Sequence, residues 1–263
     1  MRLALLSDIH GNLAAFEAVL ADLEAQGGAD NTWFLGDHAA FGPRPAECVQ
    51  RVKAMIDAVK DDEAKKHTVR AIRGNTDRWL VYGQRPKWPA AKDAEALPAL
   101  RDSLRDMSRR LEWCLDQLSF DEYDFLHKLG GEIDTNVESY GWVIGYHGSP
   151  GDDESVALLP DSSDEEAADA LLDREGRLGV GGHTHRQMDR TVGSWRVINV
   201  GSVGFPFDNN AGKAQYGIFT FENGDVQVDL RNIDYDFESV IADSEARGNP
   251  ATEWLTKTLR GSS

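Results

Sequence analysis

The chain has 263 residues, of which 41% are hydrophobic and 28% charged, and a formal net charge of -17. It is long enough to bury a sizeable core, and it has no run of about 18 apolar residues that would span a membrane. Its negative field repels DNA and RNA, which argues against a general nucleic-acid-binding module but not against a small phosphate substrate, because cations reverse the potential locally.

The first expected element is an apolar strand from Arg2 to Ser7. This run is too short for a signal-peptide core and has no small-residue cleavage site behind it, so the sequence reads as cytoplasmic. Leu13, Phe16, Val19, Leu20 and Leu23 recur at helical spacing between Asn12 and Gln26, and Gly27-Gly28 ends that helix. Thr32 to Leu35 is a second strand, Pro45 to Lys60 a second helix and Thr68 to Ile72 a third strand. Strands alternating with helices imply parallel β-α-β units, whose ligands sit beyond the carboxyl ends of the strands. Asp8, His10, Asp37 and Asn75 all fall there.

From about residue 86 to 128 charge is dense. Leu97, Leu100, Leu104, Met107, Leu111, Leu115 and Leu118 mark one or two helices inserted as a cap. A hairpin is expected from Ile133 to Val137 and Trp142 to Tyr146, delivering His147. Asp164 to Arg174 reads as a helix, and Leu178 to Val180 as a strand leading into Gly181-Gly182-His183-Thr184-His185. Val192 to Val200 and Tyr216 to Leu230 read as strands, the second broken by a turn at Asn223-Gly224-Asp225. A last helix is expected from Phe237 to Arg247. Cys48 and Cys114 form no close pair, so neither a thiolate metal site nor a disulfide framework is visible.

Five short segments carry the chemistry: Asp8-Ile9-His10, Gly36-Asp37, Gly74-Asn75, His147, and Gly182-His183-Thr184-His185. Each ends an expected strand or opens a turn. Each offers a carboxylate, imidazole or amide oxygen suited to a borderline divalent cation. In extended chain Asp8 and His10 would share one side, as would His183 and His185. Four of the seven histidines lie in these segments.

In order and spacing the set resembles the calcineurin-like metallophosphoesterase family, over residues 3 to about 208. Gly42-Pro43, His147-Gly148-Ser149-Pro150 and Asn199-Val200-Gly201-Ser202-Val203-Gly204 resemble its compact bacterial and archaeal branch. The resemblance implies an α/β fold, a four-layer αββα sandwich of two mixed sheets flanked by helices, as a single domain over residues 1–263 with the cap inserted at about 86–128. It also implies two metal ions. Asp8, His10, Asp37 and His185 would hold one, with Asp37 bridging, and Asn75, His147 and His183 would hold the other. Asp37, Asn75 and His147 would be catalytic. A water between cations roughly 4 Å apart loses its proton near neutral pH and attacks phosphorus in line. Mn²⁺ is the first expectation for the cofactor, with Fe, Zn or Ni compatible with the same donors.

Many members of that family carry a histidine after the asparagine to protonate the leaving oxygen. Here Thr76 follows Asn75, and a threonine donates no proton near pH 7. A phosphodiester or nucleotide therefore suits this sequence better than an alkyl monoester. His38 is the candidate stand-in donor, and Arg44 and Arg78 are candidate phosphate grips beside Thr76. Arg73 precedes Gly74 and is expected to point elsewhere. Residues 201–208, with Phe205 and Phe207, are expected to wall the site. The expected partner is a small phosphorylated molecule. The alternatives are a phosphoprotein or small-molecule phosphomonoesterase and, in another class, a protein-interaction scaffold. Seven chemically competent ligand positions weigh against the scaffold.

Overall fold

The computed structural model describes residues 1–171 and 175–261. The first run of elements is β1 (Arg2–Leu6), α1 (Leu13–Ala25), β2 (Asn31–Phe34), α2 (Pro45–Asp57), β3 (Val69–Ala71) and α3 (Asn75–Tyr82). Two helices follow, α4 (Leu97–Gln117) and α5 (Phe120–Lys128). The strand-rich half comprises β4 (Glu132–Val137), β5 (Gly141–Tyr146), α6 (Asp164–Asp169), β6 (Leu178–Gly181), β7 (Met188–Val192) and β8 (Trp195–Asn199). The chain closes with β9 (Lys213–Glu222), β10 (Asp225–Asp234), α7 (Phe237–Ala246) and α8 (Thr252–Arg260).

These elements form two mixed five-stranded sheets flanked by helices. One runs β10-β9-β1-β2-β3 and the other β4-β5-β6-β8-β7. In the first, β1, β2 and β3 are parallel and β9 is antiparallel to both β1 and β10. In the second, β5, β6 and β8 are parallel, with β4 and β7 added antiparallel at the edges.

The apolar run of β1 is continuous because both its faces are buried. Leu3 and Leu5 point into the layer between the sheets, among Trp33, Ile133, Val180 and Phe219. Ala4 and Leu6 point outward against Phe16 and Val19 of α1 and Val52 of α2. Asn12 caps α1, its side chain accepting a hydrogen bond from the Ala15 amide. The outer face of the second sheet is covered by Leu158, Ala167 and Leu171.

Helices α4 and α5 lie within the span where a cap is expected. Leu111 and Cys114 of α4 and Leu126 of α5 share a buried cluster with Trp79 and Leu80 of α3. Among the described residues no helix is long and apolar enough to cross a membrane.

Several boundaries differ from the sequence reading. Gly74-Asn75 opens a helix rather than a bare turn, and α2 stops at Asp57. The stretch read as one strand over Val192 to Val200 is the end of a hairpin. β7 and β8 turn at Gly193, whose φ is 58°, and β7 is too polar at its centre to read as a strand. The expected helix to Arg174 is α6, ending at Asp169; residues 172–174 lie outside the described residues. The terminal helix α8 was not expected.

Candidate active site

The loops after β1, β2, β3, β5 and β6 meet at one edge of the sandwich. They bring together all seven residues expected to hold metal. Asp8, His10, Asp37, Asn75, His147 and His185 are buried, and His183 is half-buried.

The backbone does this in a way that strand alternation does not anticipate. Asp8, His10, Asp37, His183 and His185 have φ of 57°, 52°, 56°, 63° and 56°. Among the described residues, five of the eight non-glycine residues with positive φ are therefore in this cluster. The pairs Asp8/His10 and His183/His185 converge through left-handed turns, not along extended chain. Each such residue costs on the order of 1–3 kcal/mol, a concentration of strain typical of functional loops.

Glycines make the approach possible. Gly74 packs on the Asp37 side chain so tightly that a Cβ there would lie 2.2 Å from Asp37 Oδ1. One at Gly182 would lie 2.4 Å from Asp8 Oδ2.

Three imidazoles are oriented identically. The Nδ1–H of His10 donates to the Ala40 carbonyl at 3.1 Å, that of His147 to Leu35 at 2.7 Å and that of His185 to Phe205 at 2.6 Å. Each Nε2 lone pair is thereby aimed inward, the arrangement seen in histidines that ligate metals. His10 Nε2 and His185 Nε2 are 3.1 Å apart. Asp8 Oδ1 lies 3.1 Å from His185 Nε2, 3.7 Å from His10 Nε2 and 3.8 Å from His147 Nε2. Asp37 Oδ2 lies 3.5 Å from His10 Nε2 and 3.4 Å from His147 Nε2. Asn75 Oδ1 sits 2.9 Å from His147 Nε2 and 3.0 Å from His183 Nδ1.

The outward-facing atoms of the carboxylates are tied down. His183 N–H donates to Asp8 Oδ2 at 2.9 Å, and Thr76 N–H donates to Asp37 Oδ1 at 2.9 Å. Asp8 Oδ1 itself is buried without a hydrogen-bond partner.

This donor set fits divalent cations. Two groups of ligand atoms, Asp8/His10/His185 and Asp8/Asp37/His147, are each close enough to share one ion. The titration pattern has the same origin. Burial raises the carboxyls of Asp8 and Asp37, but the neighbouring imidazoles outweigh it and hold both well below the usual range. Burial disfavours the His147 imidazolium, yet Asp37 and Asp8 carry it up to about 10. His185 is also raised, by Asp8 against burial. Burial takes His10 down to about 4. Without cations, protons occupy part of the space that the lone pairs and carboxylates enclose.

The candidate substrate residues are placed differently from one another. Thr76 lines the cavity above the cluster, with its Oγ1 buried and unpartnered. His38 is fully buried beneath the site; its Nε2–H donates to the Ile72 carbonyl at 2.9 Å, and it is not among the cavity-lining residues. Arg44 makes a bidentate pair with Asp243 at 2.6 and 2.7 Å and a further bond to Glu47, tying α2 to α7. Arg78 is bound to Asp153 and Glu154, and Arg73 stacks on Tyr82 and reaches the His127 carbonyl. The guanidinium groups of Arg44 and Arg78 are therefore engaged in internal ion pairs. Phe207 is at the cavity wall, whereas Phe205 is buried beside His10.

The cavity over the cluster has a volume of 250 Å³. Its walls include residues the sequence reading did not place at the site: Phe41, Trp79, Met107 and Arg110 of α4, and Trp254 of α8. Met107 was legible only as part of an apolar stripe. Arg110 carried no signal, because a single arginine in a charge-dense helix looks like surface.

Residues 1–224 match the model of the calcineurin-like phosphoesterase superfamily domain. The chain belongs to that superfamily. It is accordingly a hydrolytic phosphoesterase, in a family that depends on metal. The uncharacterized protein MJ0912 of Methanocaldococcus jannaschii is 26% identical over 273 residues, covering 98% of this chain and 96% of its own. The crystal structure of a metallophosphoesterase from Sphaerobacter thermophilus is similar with a TM-score of 0.70 at 25% identity, covering 99% of each chain. The hypothetical protein PH1004 from Pyrococcus horikoshii OT3 shares the fold with a TM-score of 0.76 at 22% identity, covering 98% of this chain and 97% of that one.

Proposed function

We propose that this phosphoesterase uses two divalent cations to hydrolyse a phosphodiester or nucleotide in preference to an alkyl monoester. The observation that carries the reading is the convergence of three Nε2 lone pairs on the carboxylates of Asp8 and Asp37. Each ring is locked by a main-chain carbonyl, and Asp8 Oδ1, buried without a hydrogen bond, lies 3.1 Å from His185 Nε2. Asp8, His10 and His185 would hold one ion, and Asn75, His147 and His183 the other, with Asp37 reaching both. Imidazole, carboxylate and amide oxygen suit Mn²⁺ first and satisfy Fe, Zn or Ni as well. When bound, two such cations supply an activated water and neutralise the phosphoryl oxygens.

The protein's own part is to fix these donors before substrate arrives. The Thr76 amide keeps Asp37 in place, and the His183 amide keeps Asp8 in place. Thr76 supplies no proton to a leaving alkoxide, and His38 is turned away with its Nε2–H spent on Ile72. Esters with good leaving groups suffer least from that deficit. A small cavity partly walled by α4 favours a small phosphorylated molecule over a phosphoprotein. Two buried cysteines without a disulfide accord with a cytoplasmic setting.

The test is hydrolysis of an aryl phosphodiester and of the matching alkyl and aryl monoesters with added Mn²⁺, for the wild type and Asp37→Ala. Diester cleavage that falls at least a hundredfold in the variant, together with poor alkyl monoester turnover, supports the reading. Fast alkyl monoester cleavage overturns the diester preference. Bound metal with no cleavage of any ester overturns the catalytic reading.

A further inference from the structure

The cavity over the metal-ligand cluster is not a featureless opening. It is lined in part by Met107 and Arg110 of α4 and by Trp254 of α8. Trp254 meets Phe205 edge-on at 5.2 Å between ring centroids and Phe41 at a tilt of 58° and 5.5 Å. At the mouth Phe207 remains 46% exposed while stacked on His185 at 4.4 Å. A large aromatic ring kept half in water beside a reactive centre suggests a contact surface rather than core packing.

Arg110 is the second independent observation. Of the described residues lining the cavity it alone carries a permanent positive charge. Its guanidinium lies over the Trp254 ring at 5.4 Å and pairs with Asp106 on one side. Its Nε–H is buried with no hydrogen-bond partner. A buried N–H of a charged group left unsatisfied is costly, and an oxyanion in the cavity would satisfy it.

Resting on the two-cation phosphoesterase reading, we propose that this pocket is the substrate-selecting site and that its ligand is a mononucleotide-sized phosphoester. Arg110 takes a phosphoryl oxygen from the side opposite the metal ligands. Trp254 and Phe207 take the planar base. A volume of 250 Å³ lies just below the range of about 300–1,000 Å³ common for organic ligand sites. It suits one phosphate and one flat ring system, not two nucleosides. A guanidinium offers five donors and no acceptor, so the role of Arg110 is to bind and orient.

The test is calorimetric titration of the Mn²⁺-loaded protein with adenosine 5′-monophosphate, ribose 5-phosphate and inorganic phosphate. The wild type is compared with Trp254→Ala, Phe207→Ala, Arg110→Ala and Arg110→Lys. Stacking one base on an aromatic side chain is worth roughly 5- to 150-fold in affinity, and that is the expected preference for the nucleotide over ribose 5-phosphate. Trp254→Ala is expected to bring the ratio toward one. If Trp254→Ala does not fold, Phe207→Ala at the mouth carries the same test. Arg110→Ala is expected to weaken all three ligands by about tenfold without changing the ratio, and Arg110→Lys to recover part of the loss. Equal affinity for the nucleotide and ribose 5-phosphate overturns the base site, and an unaltered Arg110→Ala overturns the phosphate role. Mn²⁺-dependent binding of inorganic phosphate alongside either result leaves the metal reading standing while this inference fails. No binding of any phosphate, with or without Mn²⁺, overturns both.

Discussion

Replacing Gly74 by alanine tests whether the site depends on how closely the β3–α3 turn approaches Asp37. Gly74 has φ -90° and ψ -177°, a conformation open to any residue, so the substitution brings no backbone strain of its own. Its cost is steric. The new Cβ would lie 2.2 Å from Asp37 Oδ1, 2.5 Å from Asp37 N and 2.8 Å from Asp37 Cγ. Ordinary van der Waals separation requires these groups to part by about 1 Å. The carboxylate cannot swing away freely, because Oδ1 accepts the Thr76 amide at 2.9 Å. A displacement of about 1 Å in a positioned catalytic group costs roughly a hundredfold in rate, and overpacking costs about 1–3 kcal/mol of stability. The assay is aryl phosphodiester hydrolysis at saturating Mn²⁺, with urea denaturation in parallel. Gly83→Ala is the control. Its φ of 63° strains an alanine by about 1–2 kcal/mol, but nothing lies within 4 Å of the new methyl group, so turnover is expected to be unchanged. A folded Gly74→Ala enzyme within threefold of wild-type activity would refute the argument.

Cation binding is expected to release protons and tighten with rising pH. Asp37 and Asp8 carry His147 up to about 10 against burial, so its ring is protonated at neutral pH in the metal-free protein. Each proton displaced contributes about tenfold in apparent affinity per pH unit below that value. Titrations in buffers of different ionisation enthalpy measure the release, and its absence at pH 7 would contradict this. Asp22 is held below the usual carboxylate range first by its hydrogen bonds from Arg231. A depressed folded-state value means stability present above about pH 4 and lost as pH falls further. Asp22→Asn is therefore expected to cost about 1 kcal/mol at pH 7, allowing for partial exposure, with the difference from wild type shrinking below pH 4 in urea denaturation. Leu111→Ala, in the contact that seats α4 on α3, is expected to cost about 2–5 kcal/mol in the same measurement.

Much of the fold was legible because local signals and tertiary needs agreed. The apolar run of β1, the stripe of α1 ending at Gly27-Gly28 and the Asn223-Gly224 turn each state one structure in a few residues. The hairpin of β7 and β8 was missed although Gly193-Ser194 is a two-residue turn signal, because β7, with Asp189, Arg190 and Thr191 at its centre, is too polar to read as a strand. Helix α8 was missed for another reason. Its apolar face packs on α7 and on the loop carrying Phe41, so its pattern has meaning only once those partners are known.

The sequence by itself determined which atoms meet. Parallel strands end together, so Asp8, Asp37 and Asn75 gather at the end of one sheet and His147, His183 and His185 at the end of the other, and the packing of the two sheets brings the sets into one cluster. What it did not determine is how they face. The left-handed turns at Asp8, His10, His183 and His185 and the carbonyls that lock three imidazole rings come from segments tens to hundreds of residues apart. The engagement of Arg44 by Asp243 and the arrival of Arg110 and Trp254 over the site were likewise decided by tertiary structure. The candidate ligands are legible in short motifs, because covalent neighbours place them. The orientation and surroundings of those ligands depend on contacts between chain segments whose meeting no local pattern encodes.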